Sequence, residues 1–247
     1  MIPNWISIIA WISIILGFIS AFWMWLDINR RPQHMAIMHW VWPLCGLFGH
    51  LLVVWIYLSV GRSQPETHHS HHEHHNHQHH HQMQHSQSPS ASSVLKGALH
   101  CGSGCTLGDI IAESLAFLLP SIPLLFGYQS LFDDKIFAIW ILDFILAFGL
   151  GIVFQYFAIK PMGNMSRGEA IVAALKADFL SLTAWQIGMY GFMAIAHFWL
   201  FPSLFGTELV VNSAAFWLMM QIAMLCGLVT AFPVNYLLIR MGVKEAM

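Results

Sequence analysis

The chain has 247 residues, of which 57% are hydrophobic and 9% are Asp, Glu, Lys or Arg, against roughly 25% charged residues in an average soluble domain. That deficit excludes most soluble classes, while 18 Phe and 11 Trp supply too much apolar surface for a wholly disordered chain. The 10 basic residues are balanced by 12 acidic ones, which leaves no electrostatic footprint for nucleic acid; what remains is an integral membrane protein whose main partner is the lipid bilayer.

A hydrocarbon core of about 30 Å needs on the order of 20 apolar residues in a helix, and residues 5–26, 37–60, 136–159 and 214–239 meet that length. The first segment lacks a basic n-region and a small-residue cleavage site, so it is expected to stay as a span. In the second, His39 and His50 return to the same helical face about 16 Å apart, with Pro43 and Gly46 between them. They read either as ligands along a polar track through a kinked helix, or as an interfacial and an interior histidine.

Residues 62–94 form a polar linker of His, Gln and Ser that follows an N-terminal hairpin (1–61) and precedes a membrane core (95–247). It carries His68, His69, His71, His72, His74 and His75, with further histidines up to His85. Low hydrophobicity predicts disorder. Neutral imidazole suits Zn, Cu and Ni, so the tract reads as an exchangeable metal collector, with a low-complexity or pH-responsive spacer as the plainer alternative.

The stretch 95–128 places His100, Cys101, four glycines, Cys105, Asp109 and Glu113 ahead of Pro120 and Pro123, and is compatible with spanning, breaking or re-entering. In a helix, Cys101, Cys105, Asp109 and Glu113 recur every four residues on one slowly turning stripe. Thiolate with imidazole selects Cu(I) or Zn, and the carboxylates broaden the site to harder ions. Gly102 and Gly104 suggest that the helix starts or breaks here, and a helix start favours the metal-binding thiolate. Two other readings stand beside ligation: close helix packing through Gly104 and Gly108, and a redox-active thiol pair.

Charge counting does not orient the chain. A six-span arrangement leaves Arg30, Arg31 and Lys135 outside, whereas one in which 95–128 re-enters leaves Arg62, Lys96 and Lys135 outside. The two score equally, although Arg30-Arg31 after a neutral first flank leans towards the second. They put the histidine linker on opposite faces.

Asp143 lies in the middle of an apolar span and requires a partner from another helix, for which Lys176 is the natural candidate, or must be neutral. A fifth span, from about 177 to 201, sets Asp178, Gln186, Met189, Met193 and His197 along roughly one side. The last span adds Met219, Met220 and Met224. Thioether, imidazole and carboxylate suit stepwise transfer of a soft cation, and methionine is equally a filler of irregular apolar gaps.

The segments Ala98-Leu99-His100-Cys101-Gly102-Ser103-Gly104-Cys105-Thr106-Leu107-Gly108-Asp109-Ile110, Phe154-Gln155-Tyr156-Phe157-Ala158-Ile159, Ala174-Leu175-Lys176-Ala177-Asp178 and Ser181 to Gly191 occur in that order. They are followed by Phe216 to Met224 and by Phe232-Pro233-Val234-Asn235. From Ala98 to the end the chain thereby resembles a family of bacterial membrane proteins catalogued as domain of unknown function 4396. The resemblance implies a polytopic helical fold in the bacterial plasma membrane and names no activity.

The sequence thus predicts an all-α, polytopic integral membrane bundle of five to six transmembrane helices, with 95–128 re-entrant or broken in one arrangement. The leading functional expectation is capture and transport, or sensing, of a transition-metal ion, copper ahead of zinc because of the cysteines and 14 Met. No catalytic residues are assigned. The alternatives are a membrane redox protein using Cys101 and Cys105, with haem on His39, His50 or His197 a poorer fit, or a structural or assembly subunit. Spacings such as Gly188 to Gly191 are compatible with a homo-oligomer.

Overall fold

A computed structural model describes residues 2–31, 33, 35–62, 89–159 and 166–244. Among them every long element is a helix: α1 (Asn4–Arg30), α2 (Met38–Ile56, closing in a π-turn Tyr57–Gly61), α3 (Ala91–Leu118), α4 (Ile122–Leu125), α5 (Lys135–Ile159), α6 (Arg167–Ala194, continued by a π-turn Ile195–Leu200 into α7, Phe201–Phe205) and α8 (Ala214–Arg240). Serines supply three of the starts. Ser90 accepts from the Ser93 amide, Ser213 from Phe216, and Ser166 forms a reciprocal capping box with Glu169, each satisfying an amide that the first helical turn leaves free.

Among the described residues five helices are long and apolar enough to cross a membrane: Asn4–Arg30, Met38–Gly61, Lys135–Ala158, Arg167–Phe205 and Ala214–Arg240. Tertiary contacts change the set. The first half of α2 runs back along α1, with Gly46 against Ala21 and Met24, and Gly17 against the Leu47 carbonyl. At His50 the backbone leaves the helical region (φ 40°, ψ −123°), and the chain reverses. The rings of Trp42 and Tyr57 stand 5.4 Å apart, and Gly61 lies against the Trp42 indole. In a straight helix Trp42 and Gly61 would be separated by about 28 Å.

The second apolar segment is therefore a re-entrant hairpin rather than a span, and His39 and His50 do not line one track. His39 sits near the entry, its Nδ1 3.1 Å from the Ala36 carbonyl, while His50 occupies the tip. There Ser13 Oγ pairs with His50 Nε2 at 3.2 Å and donates to Gln221 Oε1 at 2.7 Å. Gln221 Nε2 donates to the Leu47 carbonyl at 2.8 Å. Non-helical backbone inside a bilayer persists only where the protein satisfies it, and this junction of α1, α2 and α8 does so. The hairpin leaves where it entered: Arg62 binds Asp27, near the end of α1, through Nη2–Oδ1 at 2.7 Å and Nε–Oδ2 at 3.0 Å. That carboxylate holds the Arg62 guanidinium above its ordinary range.

The helix α3, by contrast, neither breaks nor re-enters. Its 28 residues measure about 42 Å, and it runs antiparallel to α5, with Gly104 against Gly151 and Gly108 against Ala147. Lys135 Nζ reaches the Ala116 carbonyl at 3.2 Å and complements the negative end of the α3 dipole. The helices α5, α6 and α8 then alternate in direction: Leu182 meets Gly151, and Thr230 Oγ1 donates to the Ala184 carbonyl at 2.7 Å.

The crossing set is thus α1, α3, α5, α6 and α8, with the re-entrant α2 between the first two. This arrangement collects Arg30, Arg31, Arg62, Lys96, Arg167, Lys176, Arg240 and Lys244 towards one face, with Lys135 alone among the described basic residues at the other. Of the two arrangements weighed from sequence, the six-span one treats α2 as a crossing helix, and the other places the re-entrance in 95–128 instead of α2. Once α2 returns, both ends of the histidine linker attach on the basic face.

A Cβ at Gly108 would stand 2.7 Å from Ala147 backbone atoms, whereas nothing lies within 4 Å of one at Gly149. Gly108→Val is expected to destabilise the bundle by about 1–3 kcal/mol through overpacking, and Gly149→Ala to leave it unchanged. Thermal unfolding in detergent compares the two.

Candidate functional site

The buried ionisable side chains gather along α3 and the helices packed on it, in two polar clusters. The cluster nearer the basic face is built from α3, α6 and the end of the chain. After α8, Gly242 takes a left-handed conformation (φ 70°), as the residue after a helix commonly does. The amides of Val243 and Lys244 both donate to the Leu238 carbonyl, at 3.0 and 3.2 Å. This hook turns Lys244 into the bundle, where its side chain is wholly buried.

The Lys244 Nζ lies 2.8 Å from Asp178 Oδ1 and 3.2 Å from Cys101 Sγ. Cys101 Sγ is 3.0 Å from Ser181 Oγ and 3.5 Å from Asp178 Oδ1, and Asn235 Nδ2 donates to Ser181 Oγ at 2.6 Å. Burial works against the lysine charge, but the Asp178 carboxylate and Cys101 sulfur outweigh it, so the ammonium is held above the ordinary lysine range. His100, one residue before Cys101 on α3, has its ring 6.3 Å from that of Phe154 on α5. It is fully buried, and neither ring nitrogen has a hydrogen-bond partner; Asp178 Oδ2 and Asn235 Oδ1 are also unpartnered. A buried polar atom without a partner is costly, and His100, Asp178 and Asn235 contribute four of them.

Two turns further along α3 lies the carboxyl cluster. Asp109 and Asp143 approach each other across the α3–α5 contact. The Tyr190 hydroxyl donates to Asp143 Oδ2 at 2.8 Å, with Gln186 beside it. Cys105, wholly buried, lies between the clusters. Beyond Asp109, Glu113 lines an open cavity of about 720 Å³ together with Asp133, Asp134, His197 and Glu208. His197 Nε2 sits 3.4 Å from Asp134 Oδ2. A second cavity of about 400 Å³, between α1, α2, α3 and α8, exposes Thr106, Asp109 and Gln221 among Trp11, Phe48 and Trp217.

Several expectations change. The helix runs through Gly102 and Gly104 without a start or break, so neither thiol lies at a helix N-terminus. The glycine stripe packs on α5, and the stripe of Cys101, Cys105, Asp109 and Glu113 is buried beside it, so the packing and polar readings of this motif occupy different sides of one helix. Asp143 takes Tyr190 as its partner; Lys176 is exposed. Along α6, Asp178, Gln186, Met189 and Met193 are buried together, while His197 falls in the π-turn and faces the acidic cavity. The histidines His68, His69, His71, His72, His74 and His75 lie outside the described residues. Among the described ones, no three His, Cys, Asp or Glu side chains converge as a metal site.

Sequence reasoning missed Lys244, Ser181, Asn235, Tyr190, Ser13 and Gln221 as site residues. Ser181, Tyr190, Gln221 and Asn235 lay within the quoted motifs, and a polar residue inside an apolar run was the available signal. Lys244 had none: four residues beyond Arg240, it read as a surface charge.

The chain matches a family model described as Domain of unknown function (DUF4396) over residues 92–244. No curated protein and no solved structure matches it. The chain belongs to the DUF4396 family, and the matched region includes both polar clusters.

Removing one partner of a buried ion pair leaves an uncompensated charge. Asp178→Ala is therefore expected to cost about 3–5 kcal/mol, and Asp178→Ala with Lys244→Met to recover much of that loss. A double-mutant cycle of thermal stabilities measures the coupling.

Proposed function

We propose that this DUF4396 protein is a multi-pass protein of the bacterial plasma membrane that binds a transition-metal ion, copper ahead of zinc, and passes it through the bundle. The observation supporting this most is the stack of buried ionisable groups on α3 and its neighbours. It runs from Glu113 at the acidic cavity, past Asp109, Asp143 and Cys105, to Cys101, His100 and Asp178. Ionisable groups inside a bilayer are costly and mark ion pathways by default.

The chemistry changes along the stack. At the mouth, Glu113, Asp133, Asp134 and Glu208 raise the local cation concentration, as a cleft lined by one sign of charge does. In the middle, a carboxyl pair with a tyrosine hydroxyl can hold and exchange a proton. At the far end, thiol and imidazole are ligands for soft and borderline ions. Buried Met189, Met193 and Met224 line the same interior and suit Cu(I). Positive residues favour the cytoplasm, which assigns the basic face to the inside, the acidic mouth to the outside and both attachment points of the histidine linker to the cytoplasm. The linker then collects or receives metal on that side.

Titration of tag-free protein with Cu(I) or Zn(II) is expected to show two affinity classes. Deleting residues 66–86 removes the weaker class and Cys101→Ser with Cys105→Ser the tighter; retention of both after both changes sinks the reading. For orientation, a membrane-impermeant maleimide added to intact cells is expected to label Asp133→Cys and to spare Ser166→Cys. The reverse pattern overturns the assignment of faces.

A further inference from the structure

The hydroxyl of Tyr190 has one proton and two acceptors. It lies 2.8 Å from Asp143 Oδ2 and 3.0 Å from the Trp140 carbonyl, and its ring is stacked on that of Trp140 with centroids 4.7 Å apart and planes 12° from parallel. The ring is thereby held while the O–H bond can turn, since a hydroxyl rotates to suit its partners. The two acceptors answer to two states of one carboxyl. When Asp143 is ionised, Tyr190 donates to Oδ2. When Oδ2 carries a proton, it donates to the Tyr190 oxygen, and the tyrosine proton turns to the Trp140 carbonyl. Oδ2 is hydrogen-bonded in both states without movement of any heavy atom.

Asp143 is 4% and Asp109 2% exposed, and they approach each other across the α3–α5 contact. As carboxylates both can only accept, which leaves Asp109 Oδ1, Asp109 Oδ2 and Asp143 Oδ1 without partners. Like charges side by side out of water disfavour each other, and the lysines closest to the polar stack are engaged elsewhere: Lys135 on the Ala116 carbonyl and Lys244 on Asp178. A proton held between the two carboxyls gives the orphaned oxygens a donor and leaves one negative charge on the pair. The other titratable groups around it are Cys105 and Glu113 on α3 and Tyr190 on α6. Glu113, one helical turn beyond Asp109, lines the acidic cavity with Asp133, Asp134, His197 and Glu208.

We propose that Asp109 and Asp143 form a proton-exchange site: one proton stays between the two carboxyls, a second enters from the acidic cavity past Glu113 and binds Asp143 Oδ2, and Tyr190 turns its hydroxyl to admit it. The purpose of the site rests on the transport reading, which it deepens by naming what moves against the cargo. With one proton the pair is negative and draws a cation into the bundle. With two it is neutral and releases the cation, so proton and cation take turns.

Infrared difference spectra of the full-length chain in lipid nanodiscs, titrated with acid and base without added metal, test the site. The carboxylic-acid bands of the pair are expected to titrate in two separate steps, and the C–O band of one tyrosine to shift in the step that places the second proton. Asp143→Asn is expected to lose that step, and Tyr190→Phe to keep it while losing the tyrosine shift. Glu113→Gln should keep both steps and slow deuterium exchange of the carboxyl proton by about a hundredfold, the low end of what a positioned acid–base group contributes. Should Asp143→Asn fail to fold, the tyrosine shift of the unmodified chain and its loss in Tyr190→Phe decide. The site is overturned if no buried carboxyl titrates, or if one titrates while the tyrosine bands stay fixed; unchanged exchange in Glu113→Gln overturns the route from the cavity. The spectra need no metal, so failure of the chain to bind Cu(I) or Zn(II) sinks the metal reading and leaves the proton site standing for another cation.

Discussion

A carboxylate deep in a membrane protein needs a counter-charge from within the protein, because neither water nor lipid supplies one. Asp178 obtains its counter-charge from the last described residue of the chain, and much of the bundle is arranged around that pairing. To bring Lys244 to Asp178, α8 must run antiparallel to α6 and end at the level where α6 enters the bundle. The hook at Gly242 must then turn the chain inward. The same approach puts Asn235 on Ser181 and Ser181 on Cys101, so that a chain of side-chain contacts ties α8, α6 and α3 together at that depth.

The other half of the bundle is organised by satisfaction of the backbone. The reversal at His50 puts a non-glycine residue at positive φ, a conformation that costs of order 1–3 kcal/mol. Ser13 and Gln221 offset that cost with side-chain hydrogen bonds, one of them to a carbonyl beside the break. A helix that turns back at the depth of α1 and α8 makes the number of crossings odd. It also sets the distribution of charge: basic residues gather on one face, and Glu113, Asp133, Asp134 and Glu208 on the other. The polar stack of α3 runs from the acidic cavity to the cluster that holds Cys101.

The α3 motif illustrates how one helix carries two roles without conflict. Its glycines, four apart, allow α5 to approach within backbone contact. Its cysteines and carboxyl groups, also four apart but offset around the helix, face the gap left by that approach. Small residues on one side make room for the polar groups on the other to be buried without lipid contact, so the packing and polar readings of this motif are parts of one arrangement.

Composition and apolar run lengths determined, without any structure, that the chain is a helical membrane protein. The polar residues at Cys101, Asp109, Glu113, Asp143 and Asp178 stood out for the same reason: in a chain with 9% charge each is an expense that lipid makes visible. Run length could not reveal that α2 turns back, because a re-entrant hairpin and a span have the same apolarity; only the contact of Trp42 with Tyr57 and Gly61 separates them. The direction of charge across the membrane depended on that one reversal and was therefore equally out of reach. Partner choice was decided by tertiary structure alone. Lys176 lies close to Asp178 in sequence and on the helix next to that of Asp143, yet it is exposed. Lys244, 66 residues from Asp178, makes the buried pair, because proximity between helices depends on how they pack and not on separation along the chain.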